Sequence, residues 1–433
     1  MKSRIFFIAA CTLFLTTSIT FAYQATFIPR ISVSEEYTDN IFLTDSNKEH
    51  EYITIISPGF TAQILGKYSG AEISYDAGYS IYDKYDEYDG WRHNVEFSGW
   101  SELSKNTRLE VNNSFLRTED PLRDSDIAAL RAENPEALID STIRRSRQIY
   151  YTNTAGINLI HQFGRADSFN LGFIHSFLKN DDPDYEDNER YNPYAGLTYW
   201  FASEWGLNMN GSYTKGDFDD SDDLDGWYGS ARLIKRFSRH LEGFFQYAHT
   251  SVEYDGNSED FQVYNPSAGF VYTISKDTSF SLEMGYAILD GEESSNKSAP
   301  SGIGNLTKTF KRGSINITGS AGYEGSYFGA EGLGVAEFYE LGGSATYQMT
   351  KHLSGNVFGS YRDNEYKEET PDREDKITRV GLGLTMQALE WMSLGLDYAY
   401  RTVDSTVDIE EYDENRVFFR VTLSPPHPFR TSK

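Results

Sequence analysis

Cysteine is all but missing. The chain holds one in 433 residues, Cys11, which excludes a disulfide scaffold, Fe–S clusters and cysteine-based zinc sites. Basic charge is scarce too, with 39 Lys+Arg against 65 Asp+Glu and a net charge of −26. Nucleic acid is therefore disfavoured as a partner, because a phosphate backbone calls for a basic footprint. Past the first 22 residues no long apolar run occurs, and a bundle of membrane helices, each needing about 20 apolar residues, is excluded. What is plentiful is aromatic, with 31 Tyr, 28 Phe and 6 Trp, which separates the chain from disordered polymers.

The one continuous apolar stretch opens the chain. Met1-Lys2-Ser3-Arg4 is a basic start, Ile5 to Ile19 an apolar core, and Thr20 and Ala22 place small residues before Tyr23. This is the layout of a secretory signal peptide, so residues 1–22 are expected to be cleaved and 23–433 to form the mature domain. Cleavage removes Cys11, and a cysteine-free exported chain folds without oxidation.

From residue 23 onward apolar and polar residues alternate. Ala71, Ile73, Tyr75, Ala77, Tyr79 and Ile81 share one parity, with Glu72, Ser74, Asp76, Gly78 and Ser80 on the other. Phe280, Leu282, Met284, Tyr286 and Ile288 oppose Ser281, Glu283 and Gly285 in the same way. Period two means strands with one apolar and one polar face. Runs of about 9–13 residues suit a bilayer crossing better than a soluble sandwich. The connections alternate between short ones, such as Ser104-Lys105-Asn106 and Ser238-Arg239-His240, and longer acidic ones, such as 38–50, 118–146 and 362–376. Short inner turns and long outer loops are the layout of an outer-membrane barrel. The expected fold is an all-β, transmembrane, antiparallel up-and-down barrel of about 20 strands. Nineteen segments alternate clearly. Those at 278–289 and 313–325 would both run outward, so a returning strand is owed at 301–311, or the count is 18 if 292–333 is largely outer loop.

Ser34-Glu35-Glu36-Tyr37-Thr38-Asp39-Asn40-Ile41-Phe42-Leu43-Thr44 resembles the opening string of the putative β-barrel porin-2 family. Gly322-Tyr323-Glu324 and the closing Leu423-Ser424-Pro425-Pro426-His427-Pro428-Phe429 are similar to that family as well. The resemblance implies a Gram-negative outer-membrane barrel, some of whose relatives accompany exopolysaccharide or PEP-CTERM systems. Components of polysaccharide export are thus implied partners. The family has no established catalytic residues to carry over.

The residues themselves point to a wet, acidic lumen. Glu72, Asp76, Glu283, Asp397, Arg401, Arg416 and Arg420 lie on polar faces of strands and are expected to face it, favouring cations or neutral sugars over anions. The stretch Asp217, Asp219, Asp220, Asp222, Asp223 and Asp225 offers oxygen ligands for weak, non-specific Ca²⁺ or Mg²⁺ attraction. It lacks the EF-hand spacing, because Arg232 falls where Glu is required. The longest connection, 119–146, either folds into the lumen as a constriction carrying Arg123 and Arg131 or lies outside as a flap. The eight histidines form no ligand or catalytic spacing, so no cofactor and no enzyme is expected. The expected function is an outer-membrane channel for hydrophilic solutes or polysaccharide. The alternative is a non-conducting structural barrel with acidic, cation-binding loops. Outer-membrane lipid, lipopolysaccharide and the barrel assembly machinery are the expected partners of either.

Overall fold

A strand with one apolar and one polar face cannot stand alone in a bilayer, because its backbone groups find partners only in a sheet that closes on itself. The computed structural model describes residues 23–121, 147–256, 258–291, 297–326, 328, 334–366 and 373–431, and closure is what they adopt. The first seven strands are β1 (Gln24–Thr38), β2 (Glu51–Leu65), β3 (Ser69–Tyr82), β4 (Gly90–Ser104), β5 (Thr107–Thr118), β6 (Tyr150–Gln162) and β7 (Ser168–Asn180). The next seven are β8 (Asn188–Tyr199), β9 (Trp205–Phe218), β10 (Leu224–Arg236), β11 (Leu241–Tyr254), β12 (Phe261–Ser275), β13 (Thr278–Gly291) and β14 (Lys297–Phe310). β15 (Gly313–Ser326), β16 (Gly334–Gln348), β17 (Leu353–Tyr366), β18 (Arg373–Leu389), β19 (Met392–Ser405) and β20 (Tyr412–Leu423) complete the wall. Each pairs antiparallel with its neighbour in sequence, and β20 returns to β1. The result is a closed 20-strand antiparallel barrel.

The strand owed between 278–289 and 313–325 is β14, and the 18-strand count is excluded. Its alternation was weak for a physical reason. Gly302 and Gly304 occupy the parity that carries large apolar side chains elsewhere. A Cβ on Gly302 would stand 2.4 Å from the backbone oxygen of Glu283, so the close approach of β13 leaves room only for glycine.

Large apolar side chains cover the outer face in rows, with Ile56, Ile73, Leu171, Phe245, Met284, Leu341, Leu382 and Phe419 all exposed. On a soluble surface such rows would drive association, whereas against hydrocarbon they are the contact surface. Trp205 and Trp391 mark the short-turn end of this belt and Trp91 and Trp227 the long-loop end, as amphipathic rings do at headgroup level.

The seam has its own geometry. β1 pairs with β20 only over Ile31–Thr38, and its first residues pair instead with a three-residue strand, β21 (Phe429–Thr431).

Candidate functional site: the lumen and its outer mouth

Toward the short-turn end the inner wall is open to water. Glu72, Glu96, Asn112, Asn210, Asn356 and Arg420, all on polar parities, are exposed there. Amides and hydroxyls run around the wall in hydrogen-bonded chains. Asn210 Nδ2 donates to Asn208 Oδ1 at 2.9 Å and Asn208 Nδ2 to Thr198 at 3.0 Å, and the single Thr307 hydroxyl proton is shared between the amide oxygens of Asn305 and Asn316 at 2.9 and 3.0 Å. Ionic clusters are set among these groups, Arg108 pairing with Glu110 at 2.8 Å and Arg236 with Glu242 at 2.6 Å. Arg30 pairs with Asp76 and donates to Thr61 and Ser74 at 2.7 and 2.9 Å. Arg232 pairs with Glu283 at 2.9 Å, and Glu283 also accepts from Ser267 at 2.7 Å. Of the residues expected in the lumen, Glu72 and Arg420 meet its water, Asp76 and Glu283 are held by arginines, and Asp397 is half-buried. Arg401 and Arg416 share that face but are buried, because the outer mouth is filled around them.

The filling starts with the first loop. Instead of projecting outward, residues 39–44 fold back along the inner wall. Ile41 packs on Ile53 and Tyr82, and Leu43 on Ile377, Val403 and Tyr412, both fully buried. Leu43 adopts a φ of +52°, a left-handed conformation that costs a branched residue about 1 kcal/mol or more. Burial of its side chain and a clamp by Asn40 compensate. Asn40 accepts from the Thr44 N–H at 3.0 Å and donates to the carbonyls of Thr44 and Asp413 at 2.7 and 2.8 Å. Asp39 accepts from the backbone and side-chain N–H groups of Asn415, both at 2.7 Å, and Thr38 donates to Glu414 at 2.6 Å.

Beneath this clamp lies a buried ionic network. Arg416 pairs with Glu36 and, at 3.0 Å, with Asp120. Arg92 pairs with Glu119 at 2.7 Å, and the Tyr82 hydroxyl donates to the same carboxylate at 3.0 Å. Arg147 donates to the Ile41 carbonyl at 2.9 Å, while its two terminal nitrogens meet no acceptor among the described residues. Both ends of the longest connection are thereby tied to the barrel wall. Arg123 and Arg131, the expected constriction residues, lie outside the described residues. Across the mouth an apolar cluster of Leu224, Val252, Phe261, Leu289 and Val335 covers the opposite wall.

Burial alone would push the Asp120 carboxyl up. The guanidiniums of Arg416, Arg92 and Arg147, with the Arg416 hydrogen bond, outweigh it and hold the group well below the usual carboxylate range. A depressed folded value means that the stabilisation is complete above the unfolded pKa of about 3.9 and is lost as pH falls through the folded value. The stability difference between the native chain and Asp120→Asn is therefore expected to stay flat from about pH 7 to about pH 4 and to shrink below that. Denaturant unfolding in detergent reads it, and a difference already shrinking near pH 6 would contradict the assignment.

The acidic stretch 217–225 is engaged in loop architecture. Asp217 pairs with Lys215 at 3.4 Å, Asp225 accepts from the Tyr213 hydroxyl, Asp223 from the Phe218 N–H at 2.9 Å, and Asp222 from the Ser258 N–H at 2.8 Å. The backbone N–H groups of Asp219 and Asp220 donate to Asp187 and Glu186. Among the described residues no three acidic, histidine or cysteine side chains converge as metal ligands.

Side chains of the Glu36–Asn40 string reach Asp413, Glu414, Asn415 and Arg416 across the closure of β1 on β20. Residues 326–424 match the family putative beta-barrel porin 2. Over that stretch the chain is similar to the porin-2 family, and the string noted at residues 34–44, outside the matched stretch, is held against it in space. No curated protein matches the sequence. Among solved structures, a mutant of the ferric enterobactin receptor PfeA from Pseudomonas aeruginosa is similar at 10% identity and a TM-score of 0.50, covering 92% of this chain and 80% of that one. OccAB4 from Acinetobacter baumannii is similar at 14% identity and a TM-score of 0.41, covering 93% and 98%. OccK2 (OpdF) from Pseudomonas aeruginosa gives 11% and 0.46, covering 93% and 98%. At these identities the likeness concerns the fold alone.

Proposed function

We propose that this barrel is a channel for hydrophilic solutes, exported by a leader at residues 1–22 and seated in the outer membrane of a Gram-negative cell. Its role is transport rather than catalysis. The observation that carries the reading is the contrast across the wall: exposed amides, hydroxyls and carboxylates inside, exposed aliphatic and aromatic rows outside. Glu72 and Glu96 line the short-turn half of the lumen, with Glu102 and Glu110 sharing the single cation Arg108, and this surplus of carboxylates favours cations over anions and leaves neutral sugars unopposed. The amide and hydroxyl chains suit hydroxyl-rich cargo, and polysaccharide export, with its associated components as partners, is the cargo reading the family resemblance favours. Lipopolysaccharide around the belt and the barrel assembly machinery during insertion are the partners any such barrel requires.

In planar bilayers the pure folded protein is expected to give step currents, with a reversal potential in a salt gradient displaced toward the cation. A second reading, a non-conducting structural barrel whose acidic loops bind cations, is favoured by the filled outer mouth. A complete lack of steps under every voltage tested would favour it and remove the channel.

A further inference from the structure

Strand pairing lapses at the seam where the barrel closes. β1 pairs with β20 from Ile31 outward and with β21 from Phe27 inward. Between these two registers three residues, Ile28 to Arg30, face five, Ser424 to Pro428. Pro425, Pro426 and Pro428 have no N–H to offer a ladder, and Pro29 has none to offer in return. This mismatch leaves a shallow, open groove of about 490 Å³ bordered by Pro29, Ile31, Trp391, Leu423 and Pro425, together with Ser424 and with Arg30, whose guanidinium is turned to Asp76. The N–H of Ser424 at its edge is already satisfied, donating to the Trp391 carbonyl at 3.0 Å. What remains is an apolar concavity.

Its position names the occupant. Ile31 and Leu423 belong to the outward apolar rows, so the groove is continuous with the lipid-facing belt. It lies at the short-turn end, which faces the phospholipid leaflet on the periplasmic side. Water is a poor filler, since a bound water needs two to four polar partners. We propose that this seam groove binds one acyl chain of a phospholipid from the periplasmic leaflet, which completes the wall where strand pairing lapses. The site does not depend on whether the lumen conducts.

Trp391 borders the groove, while Trp205 lies at the same end of the belt outside it. Two variants of the full chain, each keeping one of these tryptophans with the others changed to Phe, are titrated in detergent micelles with a phospholipid brominated in its acyl chain. Trp391 is expected to be quenched with an about ten-fold lower midpoint than Trp205, and the excess is expected to vanish when Ile31→Phe fills the groove. Equal midpoints overturn the proposal. So does Trp391 quenching that falls as protein concentration rises, which would place a second copy in the groove. Native mass spectrometry of the otherwise unaltered protein provides an independent reading: one retained phospholipid, lost in Ile31→Phe, is expected, and equal retention in both overturns the proposal.

Discussion

Arg416→Met is expected to cost this barrel about 3–5 kcal/mol, the range seen when one partner of a buried ion pair is removed. The loss is large because Arg416 compensates three carboxylates at once, Glu36, Asp120 at 3.0 Å and Glu414 at 3.9 Å. Glu36 and Asp120 are held on its guanidinium, and the side chains of Arg416 and Glu36 are 7% and 1% exposed. Methionine fills the volume but takes the paired guanidinium from Glu36 and Glu414 and leaves Asp120 to Arg92 and Arg147 alone, in a water-poor mouth where an under-compensated charge is most expensive. Adding Glu36→Gln to Arg416→Met should recover part of the loss by removing one orphaned charge. Arg420→Met, on the exposed part of the same strand, should change stability by no more than about 0.5 kcal/mol. Denaturant unfolding followed by tryptophan fluorescence separates these variants. An Arg416→Met cost as small as that of Arg420→Met would mean that the mouth is hydrated and the network exposed.

The wall of this barrel was legible in sequence because its physics is local. Each of 71–81 and 279–288 declares two faces by parity alone, and no distant residue is needed to read it. Loop length carries the orientation in the same way. β14 resisted because its lipid-facing parity holds Gly302 and Gly304, and the reason for Gly302, the close backbone of β13, is a tertiary fact. The mouth resisted for a different reason. Arg30 and Glu36 share the polar parity of β1 with Ser32 and Ser34, so parity could have placed both on the inner wall. Nothing in periodicity pairs Glu36 with Arg416 or Asn40 with Asp413, which closure of the first strand on the last brings together, or Arg147 with the Ile41 carbonyl, which meet because residues 39–44 fold back along the inner wall. Ile41 and Leu43 read as apolar residues in a polar outer loop. Only the fold shows that they are the core of the mouth.

Inside and outside are also separable by experiment, through a pair of arginines placed three residues apart on one strand. Leu341 stands at the middle of β16 on the outward face and is 62% exposed. Leu341→Arg forces a guanidinium toward the hydrocarbon midplane and is expected to cost about 2–4 kcal/mol. Ser344 has the opposite parity and pairs in register with Asn316, part of the amide and hydroxyl wall. Ser344→Arg extends into water and is expected to change stability by about 0.5 kcal/mol or less. The same substitution should instead alter the reversal potential, because a fixed positive charge in a lumen rich in carboxylates weakens its preference for cations. The two effects should therefore exchange completely: stability without selectivity at 341, selectivity without stability at 344. A soluble barrel would tolerate Leu341→Arg, since an exposed outer face then meets water. Equal stability of the two variants in lipid would accordingly remove the membrane assignment of the outer rows.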